Sequence, residues 1–309
     1  MKESCKLKHV HFQITRNCNL RCSFCGQWGK KGFFSDAAGE EMTFDDWMRL
    51  IDELDDSKPK ITVWGGEPLT SVHFDAIMKE LKARGFETEI VTNGMLIDKH
   101  IDVIRSCCDK VYVSIDGIKE IHDYHRGNGV YERVTDNLKR LAHHNVTVMS
   151  VITPELIYTI DSFLEELEDI GIKELYLQDM IGLSEGEIML YKLWMRMKFK
   201  KEAEYIDSWY NDELFKIGDV DFGERSYKII HKKHAYDGAC RSMYSHAHVS
   251  WNGDVMYCTD FYDFSAGNVK DMPLLEIFTN EISEKFRSEV ESNSCMTCNH
   301  CSWRKHEYL

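Results

Sequence analysis

The chain has 309 residues, 43 % hydrophobic and 29 % charged, with a formal net charge of −14. That length suffices for one large and one small domain around a buried core, and the acidic balance disfavours nucleic acid and anionic membrane as partners. No apolar run is long enough to span a bilayer and the N-terminal stretch lacks a signal peptide's apolar core, so a cytoplasmic protein is expected. Eleven cysteines in a reducing compartment read as metal ligands and free thiols rather than as a disulfide framework.

From residue 10 to residue 178, short β-rich runs alternate with amphipathic helical patterns. The periodicity predicts strands over 10–14, 61–64, 89–91, 111–115, 146–151 and 174–177, and helices over 44–54, 74–83, 101–106, 130–143 and 161–169. The first helix is marked by Trp47, Leu50, Ile51 and Leu54 at helical spacing. Such alternation implies a parallel sheet with right-handed crossovers. Six units are too few to close an eight-stranded barrel, so the expected fold is α/β, a (β/α)6 partial TIM barrel whose function gathers at the C-terminal strand ends.

Cys18, Cys22 and Cys25 follow the first expected strand, spaced C-x3-C-x2-C. Three close thiolates can ligate three irons of a [4Fe-4S] cube and leave the fourth iron open to a small molecule. Zinc is the plainer alternative, although a structural zinc site usually takes four ligands. Trp64-Gly65-Gly66-Glu67-Pro68 follows the second strand. Its glycines permit close backbone approach to a ligand, and the Glu67 carboxylate can hold an ammonium group. Thr92-Asn93-Gly94 reads as a turn after the third strand. Ser114-Ile115-Asp116-Gly117 ends the fourth, and His122-Asp123-Tyr124-His125-Arg126-Gly127 follows it. Gln178 and Asp179 end the sixth, where a polar pair can hydrogen-bond a substrate hydroxyl or take a proton; helix N-capping by Asp179 is the alternative. Cys107 and Cys108 have no partner at metal spacing and read as core thiols.

Residues 182–238 change character, with Met189, Leu190, Leu193, Trp194, Met195 and Met197 crowding one helix. A methionine and aromatic stripe of this kind is core or linker, and no catalysis is assigned to it. Cys240 and Cys258 flank a hairpin signal at Asn252-Gly253, and Cys295, Cys298 and Cys301 follow as C-x2-C-x2-C. Two distant thiols plus a C-x2-C pair make a four-ligand metal site, for which zinc stays open and His300 adds a further donor. The expected division is 1–181, a helical linker over 182–238, and a small α+β domain over 239–309.

The cysteine spacing on this strand, together with Gly65-Gly66-Glu67-Pro68, resembles the signature of the radical S-adenosylmethionine (SAM) enzymes. That resemblance implies cofactor contacts at Phe24, Gly65, Gly66, Glu67, Pro68, Ser114 and Arg126. Glu67 would hold the methionine amine of SAM, Ser114 would lie near its ribose or carboxylate, and Arg126 would pair with the carboxylate. An arginine at a helix start is alternatively a solvated surface charge. The later cysteines resemble the SPASM and twitch domains, which carry auxiliary [4Fe-4S] clusters. Five cysteines in place of the full SPASM pattern of seven favour the twitch form with one cluster on Cys240, Cys258, Cys295 and Cys298, Cys301 being spare or exchanging with one of them.

The activity implied is reductive cleavage of SAM to a 5′-deoxyadenosyl radical that abstracts a substrate hydrogen, for net oxidation or cross-linking of a ribosomal peptide or small metabolite. An electron donor such as flavodoxin or ferredoxin is the implied partner. With only about nine residues before the first strand, no leader-binding module is expected. A non-catalytic metal-binding scaffold with a degenerate SAM site is the alternative from a different class.

Overall fold

The structure is a computed structural model that describes residues 6–29, 32–33, 39–142, 144–179, 183–210, 228–231, 242–258 and 262–292. The elements run β1 (His9–Gln13), α1 (Phe44–Leu54), β2 (Lys60–Trp64), α2 (Phe74–Ala83), β3 (Thr88–Thr92), α3 (Ile101–Cys107) and β4 (Lys110–Ser114). They continue as α4 (Lys119–Arg126), α5 (Val130–Arg140), β5 (Val146–Ile152), α6 (Pro154–Tyr158), α7 (Ile160–Asp169), β6 (Glu174–Asp179) and α8 (Glu185–Phe199). The last described elements are β7 (Lys228–His231), β8 (His246–Val249), β9 (Val255–Met256), α9 (Leu274–Thr279) and α10 (Glu281–Glu291).

The strands form one sheet in the order β7-β6-β5-β4-β3-β2-β1-β8-β9. Every neighbouring pair is parallel except β8 with β9. The first six strands step in sequence order along the sheet, as right-handed βα units require.

Period-2 alternation gives each strand two unlike faces. On β1, Val10 and Phe12 point to the helical layer, where Phe12 meets Trp47 of α1 at a ring distance of 5.1 Å. His9, His11 and Gln13 occupy the opposite, inner face. The helix α1 shows why the local sequence folds as it does. Thr43 and Asp46 form a reciprocal capping box, and Trp47, Leu50, Ile51 and Leu54 make one buried stripe. Truncating the fully buried Trp47 to alanine would cost about 3–5 kcal/mol.

Two features of the sheet add to the expected pattern. The segment expected to be a helical linker contributes β7, which pairs with β6. The hairpin expected in a separate C-terminal domain does form, as β8 and β9, but β8 joins the barrel sheet beside β1. A parallel partner so far away along the chain leaves no local trace in sequence, whereas the Asn252-Gly253 turn does.

Candidate functional site

Parallel pairing brings the C-terminal ends of β1 to β6 to one edge, so the loops that follow them meet there. The cysteine loop leaves β1 at this edge. Cys22 is buried, and Cys18 and Cys25 are half-buried. The Leu20 N–H donates to Cys18 Sγ at 3.4 Å and the Trp28 N–H to Cys25 Sγ at 3.3 Å. Asn93 Nδ2 stands 4.0 Å from Cys18 Sγ and donates to Asn19 Oδ1 at 2.8 Å. Burial pushes the Cys18 thiol up to about 12 and raises that of Cys22, so binding a metal here displaces protons. Three soft sulfurs on one loop, two of them with N–H donors, fit an iron–sulfur cluster.

The glycines after β2 serve a nearer neighbour than a ligand. A Cβ on Gly66 would stand 2.4 Å from the carbonyls of Arg16 and Asn17, and one on Gly65 would stand 2.6 Å from that of Thr15. The Gly66 N–H donates to Thr15 O at 2.9 Å and the Glu67 N–H to Asn17 O at 2.7 Å. The Gly-Gly turn thus clamps the backbone that enters the cysteine loop. Pro68 is buried at the start of a short 3-10 turn, Pro68–Thr70.

Glu67 itself is fully buried. Its Oε1 accepts from Leu69 N at 3.1 Å and Thr92 Oγ1 at 2.7 Å, and its Oε2 accepts from Asn93 N at 2.7 Å. Burial lifts its carboxyl to about 7 against those three donors. In this geometry the carboxylate is a strut joining the ends of β2 and β3.

Arg126 stands at the other end of its helix from the one expected. It closes helix α4 rather than starting one, and its side chain is 9 % exposed, so it is not a solvated surface charge. Its Nε donates to Asp116 Oδ2 at 2.5 Å. Asp116, at the end of β4, is fully buried, and its Oδ1 accepts from Val151 N at 2.9 Å. Burial would raise the Asp116 carboxyl, but the guanidinium outweighs it and holds that carboxyl below the usual range. The guanidinium lies over the Phe24 ring at 5.7 Å. The neighbouring His125 packs its ring 5.0 Å from Phe24, and its Nδ1 and Ser23 Oγ are 2.7 Å apart. The Ser23 N–H donates to the His125 carbonyl at 2.9 Å, so the end of α4 is docked on the cysteine loop.

Ser114 and Gln178 are half-buried at the ends of β4 and β6. Asp179 is the last residue of β6, and the next helix is capped by Ser184 instead. Cys258 is half-buried just beyond β9; Cys240, Cys295, Cys298 and Cys301 lie outside the described residues. Cys107 and Cys108 are buried in the core cluster, as expected. Sequence reading missed the bonding roles of Asn93, Asp116 and His125. Only the placement of polar residues directly after β-rich runs hints at them.

Several buried polar atoms at this edge have no hydrogen-bond partner among the described residues, Gln13 Nε2 and Trp64 Nε1 included. Gln13 and Trp64 face each other as the last paired residues of β1 and β2. Buried donors without partners are costly unless something polar meets them, so this corner fits a polar ligand such as SAM. Phe33 packs edge-on to Tyr205 at 5.1 Å, and Gln27 Nε2 donates to Tyr262 Oη at 3.0 Å. Residues from the later half of the chain therefore cover the cysteine loop.

Comparison with known proteins agrees with this edge-centred architecture. The AdoMet-dependent heme synthase of Methanosarcina barkeri is 24 % identical over 96 % of this chain and 88 % of its own length. The tungsten-containing aldehyde ferredoxin oxidoreductase cofactor-modifying protein of Pyrococcus furiosus is also 24 % identical, with the same coverage of each chain. The crystal structure of Streptococcus suis SuiB bound to S-adenosylmethionine has the same fold, with a TM-score of 0.66 at 15 % identity over 96 % of this chain and 72 % of that one. A model of the iron–sulfur cluster-binding SPASM domain matches residues 240–302. The radical SAM superfamily model matches residues 12–170, more than half of the chain. That match opens in β1 and takes in the cysteine loop and the motifs at the ends of β2, β3 and β4: the chain belongs to the radical SAM superfamily.

Proposed function

We propose that this enzyme cleaves SAM reductively and uses the hydrogen abstraction that follows for net oxidation of a small metabolite. The observation that carries the reading is the cysteine loop, fastened from three sides by the Gly65-Gly66 turn, Asn93 and the end of α4. The family's cofactors are a [4Fe-4S] cluster and SAM, and its SPASM domain holds auxiliary iron–sulfur. Cys18, Cys22 and Cys25 would hold the first cluster. Cys240, Cys258, Cys295 and Cys298, with Cys301 as the alternate, would hold an auxiliary one. Bound together, the cluster and SAM supply one-electron cleavage to a hydrogen-abstracting carbon radical.

The protein's part is to hold, orient and exclude. Gln13 and Trp64 offer donors to a polar group on the ligand. Arg126, paired with Asp116, keeps α4 over the loop, and its charge favours the Cys22 thiolate against burial. Ser114 and Gln178 sit at strand ends, where they can hydrogen-bond SAM and substrate, and Asp179 follows Gln178 at the end of β6. The cover that includes Phe33, Tyr205 and Tyr262 keeps water from the site.

A small metabolite is favoured by the two sequence relatives, a heme synthase and a cofactor-modifying protein, whose similarity spans nearly the whole chain. A peptide is the second reading, favoured by a neighbour of the same fold solved with a precursor peptide. The test is anaerobic: reconstituted protein, SAM and a reductant such as flavodoxin, with 5′-deoxyadenosine measured. Its formation supports the reading, and its absence from folded, iron-loaded protein leaves the scaffold alternative. Mutating Cys258 to alanine should leave 5′-deoxyadenosine formation but stop product, and unchanged product formation would reject an electron-accepting role for the second cluster.

A further inference from the structure

The opposite end of the sheet carries a second concentration of ligand-type side chains, which the proposed activity does not use. Pairing of β1 with β8 sets His9 beside His246 and His11 beside His248. Alternation puts all four on the inner face. The rings of His9 and His11 stack at 4.2 Å, those of His11 and His248 also at 4.2 Å, and His9 lies 5.0 Å from His246. One ring nitrogen from each of His9, His11 and His246 lies within 4.8 Å of the other two. His248 Nδ1 is buried with no hydrogen-bond partner among the described residues.

Four stacked imidazoles are an unusual filling for this position, which small barrels pack with aliphatic layers. The rings are also prepared as ligands. Burial, mutual repulsion and Lys60 drive His9 down to about 2, burial lowers His246 to about 4 and His248 to about 3, and burial holds His11 well below its ordinary value. All four are therefore neutral near pH 7, the form that binds metal. Thr62 Oγ1 gives its proton to Glu89 Oε1 at 2.8 Å. The contact of 2.7 Å between His9 Nε2 and Thr62 Oγ1 must then be donated by the imidazole, which leaves the lone pair on Nδ1. A carboxylate that fixes a histidine tautomer in this way is the usual support of a metal ligand. His246 Nδ1 is held 2.9 Å from Ser245 Oγ. The neighbouring Lys60 is neutralised by Glu89 at 2.6 Å.

We propose that His9, His11 and His246 bind a borderline divalent metal, with zinc as the reference ion and the fourth position left to water. Imidazole donors suit zinc, nickel and copper rather than magnesium or calcium. Zinc–nitrogen bonds of about 2.0–2.1 Å place tetrahedral ligands about 3.3 Å apart, so each nitrogen moves inward by no more than about 0.9 Å. The ion would fasten β1 to β8. It would sit about 15 Å from the cysteine loop, judged by the rise of β1 at ~3.3 Å per residue. It is therefore separate from the iron sites.

The test uses the full chain with its iron sites filled anaerobically, then titrated with Zn²⁺ and, in parallel, Co²⁺. Wild-type protein should gain about one zinc per chain beyond its iron. Its cobalt form should show a tetrahedral ligand-field spectrum without a thiolate-to-cobalt band. The variant His11→Phe keeps the ring stack, and it should lose the zinc while holding its iron. Equal zinc in wild type and His11→Phe overturns the proposal. If His11→Phe fails to fold, the wild-type cobalt spectrum decides alone: nitrogen-only tetrahedral cobalt supports the site, and its absence overturns it.

Discussion

The two ends of the sheet are held in different ways. At the C-terminal edge, backbone joins side chains in the holding: the Thr15 and Asn17 carbonyls take the Gly66 and Glu67 amides, and amides of Leu69 and Asn93 grip the Glu67 carboxylate. At the N-terminal edge, side chains on the strands hold one another. Four imidazoles stack, Lys60 pairs with Glu89, and Lys110 pairs with Glu174 at 2.8 Å. Loop ends can be re-formed around a ligand, whereas strand interiors cannot without loss of register. The contrast implies that chemistry resides at the first end and that the second fixes the frame.

The largest effect should come from Cys18→Ala, Cys22→Ala and Cys25→Ala combined. SAM cleavage should fall below detection, and iron should drop by about four per chain. Retained 5′-deoxyadenosine formation would place the chemistry elsewhere. Next is Arg126→Met, which strands the buried Asp116 carboxylate. Unfolding by denaturant should show a loss of about 3–5 kcal/mol, and a change below the error of the curve would mean that the pair is not coupled. Third is Glu67→Gln. The amide cannot accept from Leu69, Thr92 and Asn93 together, so stability should fall by about 1–3 kcal/mol, along with iron retention. A variant that loses only SAM affinity, with stability intact, would restore Glu67 as a ligand contact.

The smallest effect belongs to the other end. The imidazoles of His9, His246 and His248 have folded values of about 2, 4 and 3, below the ordinary 6.5. The unfolded chain therefore binds more protons between those values and 6.5. The stability that keeps these rings neutral is complete above pH 6.5 and is lost as pH falls below it. At pH 5.5 each ring should cost about 1.4 kcal/mol relative to pH 7.5. Mutating His248 to phenylalanine should shrink the drop by that amount in paired anaerobic denaturation curves, and identical pH dependence in the two proteins would remove the effect.

The order of β1 to β6 and the helices α1, α2, α3, α5 and α7 were legible because periodicity is local. Helix α1 is found over 44–54 as its apolar spacing predicts, and the thiol spacing identifies its own loop. What each motif residue bonds to was not legible. Glu67 and Arg126 carry charges that suggest a ligand, yet their partners are Thr92, Asn93 and Asp116, which only the folded edge supplies. The imidazole block was invisible for a related reason. His9 and His11 read as two polar positions in an alternating strand until β8 is known to lie alongside.

The place of β8 in the sheet also sets a schedule. The contact between Gln13 and Ser250 spans 237 positions, against 53 for that between His9 and Thr62. Closing the longer loop costs only about 1.3 kcal/mol more in chain entropy, so the penalty is one of time rather than of equilibrium. On a ribosome adding about 5–20 residues per second, roughly 180 residues separate β2 from β8, a delay of about 10–40 s. Throughout that interval one side of β1 is already paired with β2, while the other is an open edge that a second nascent chain could occupy.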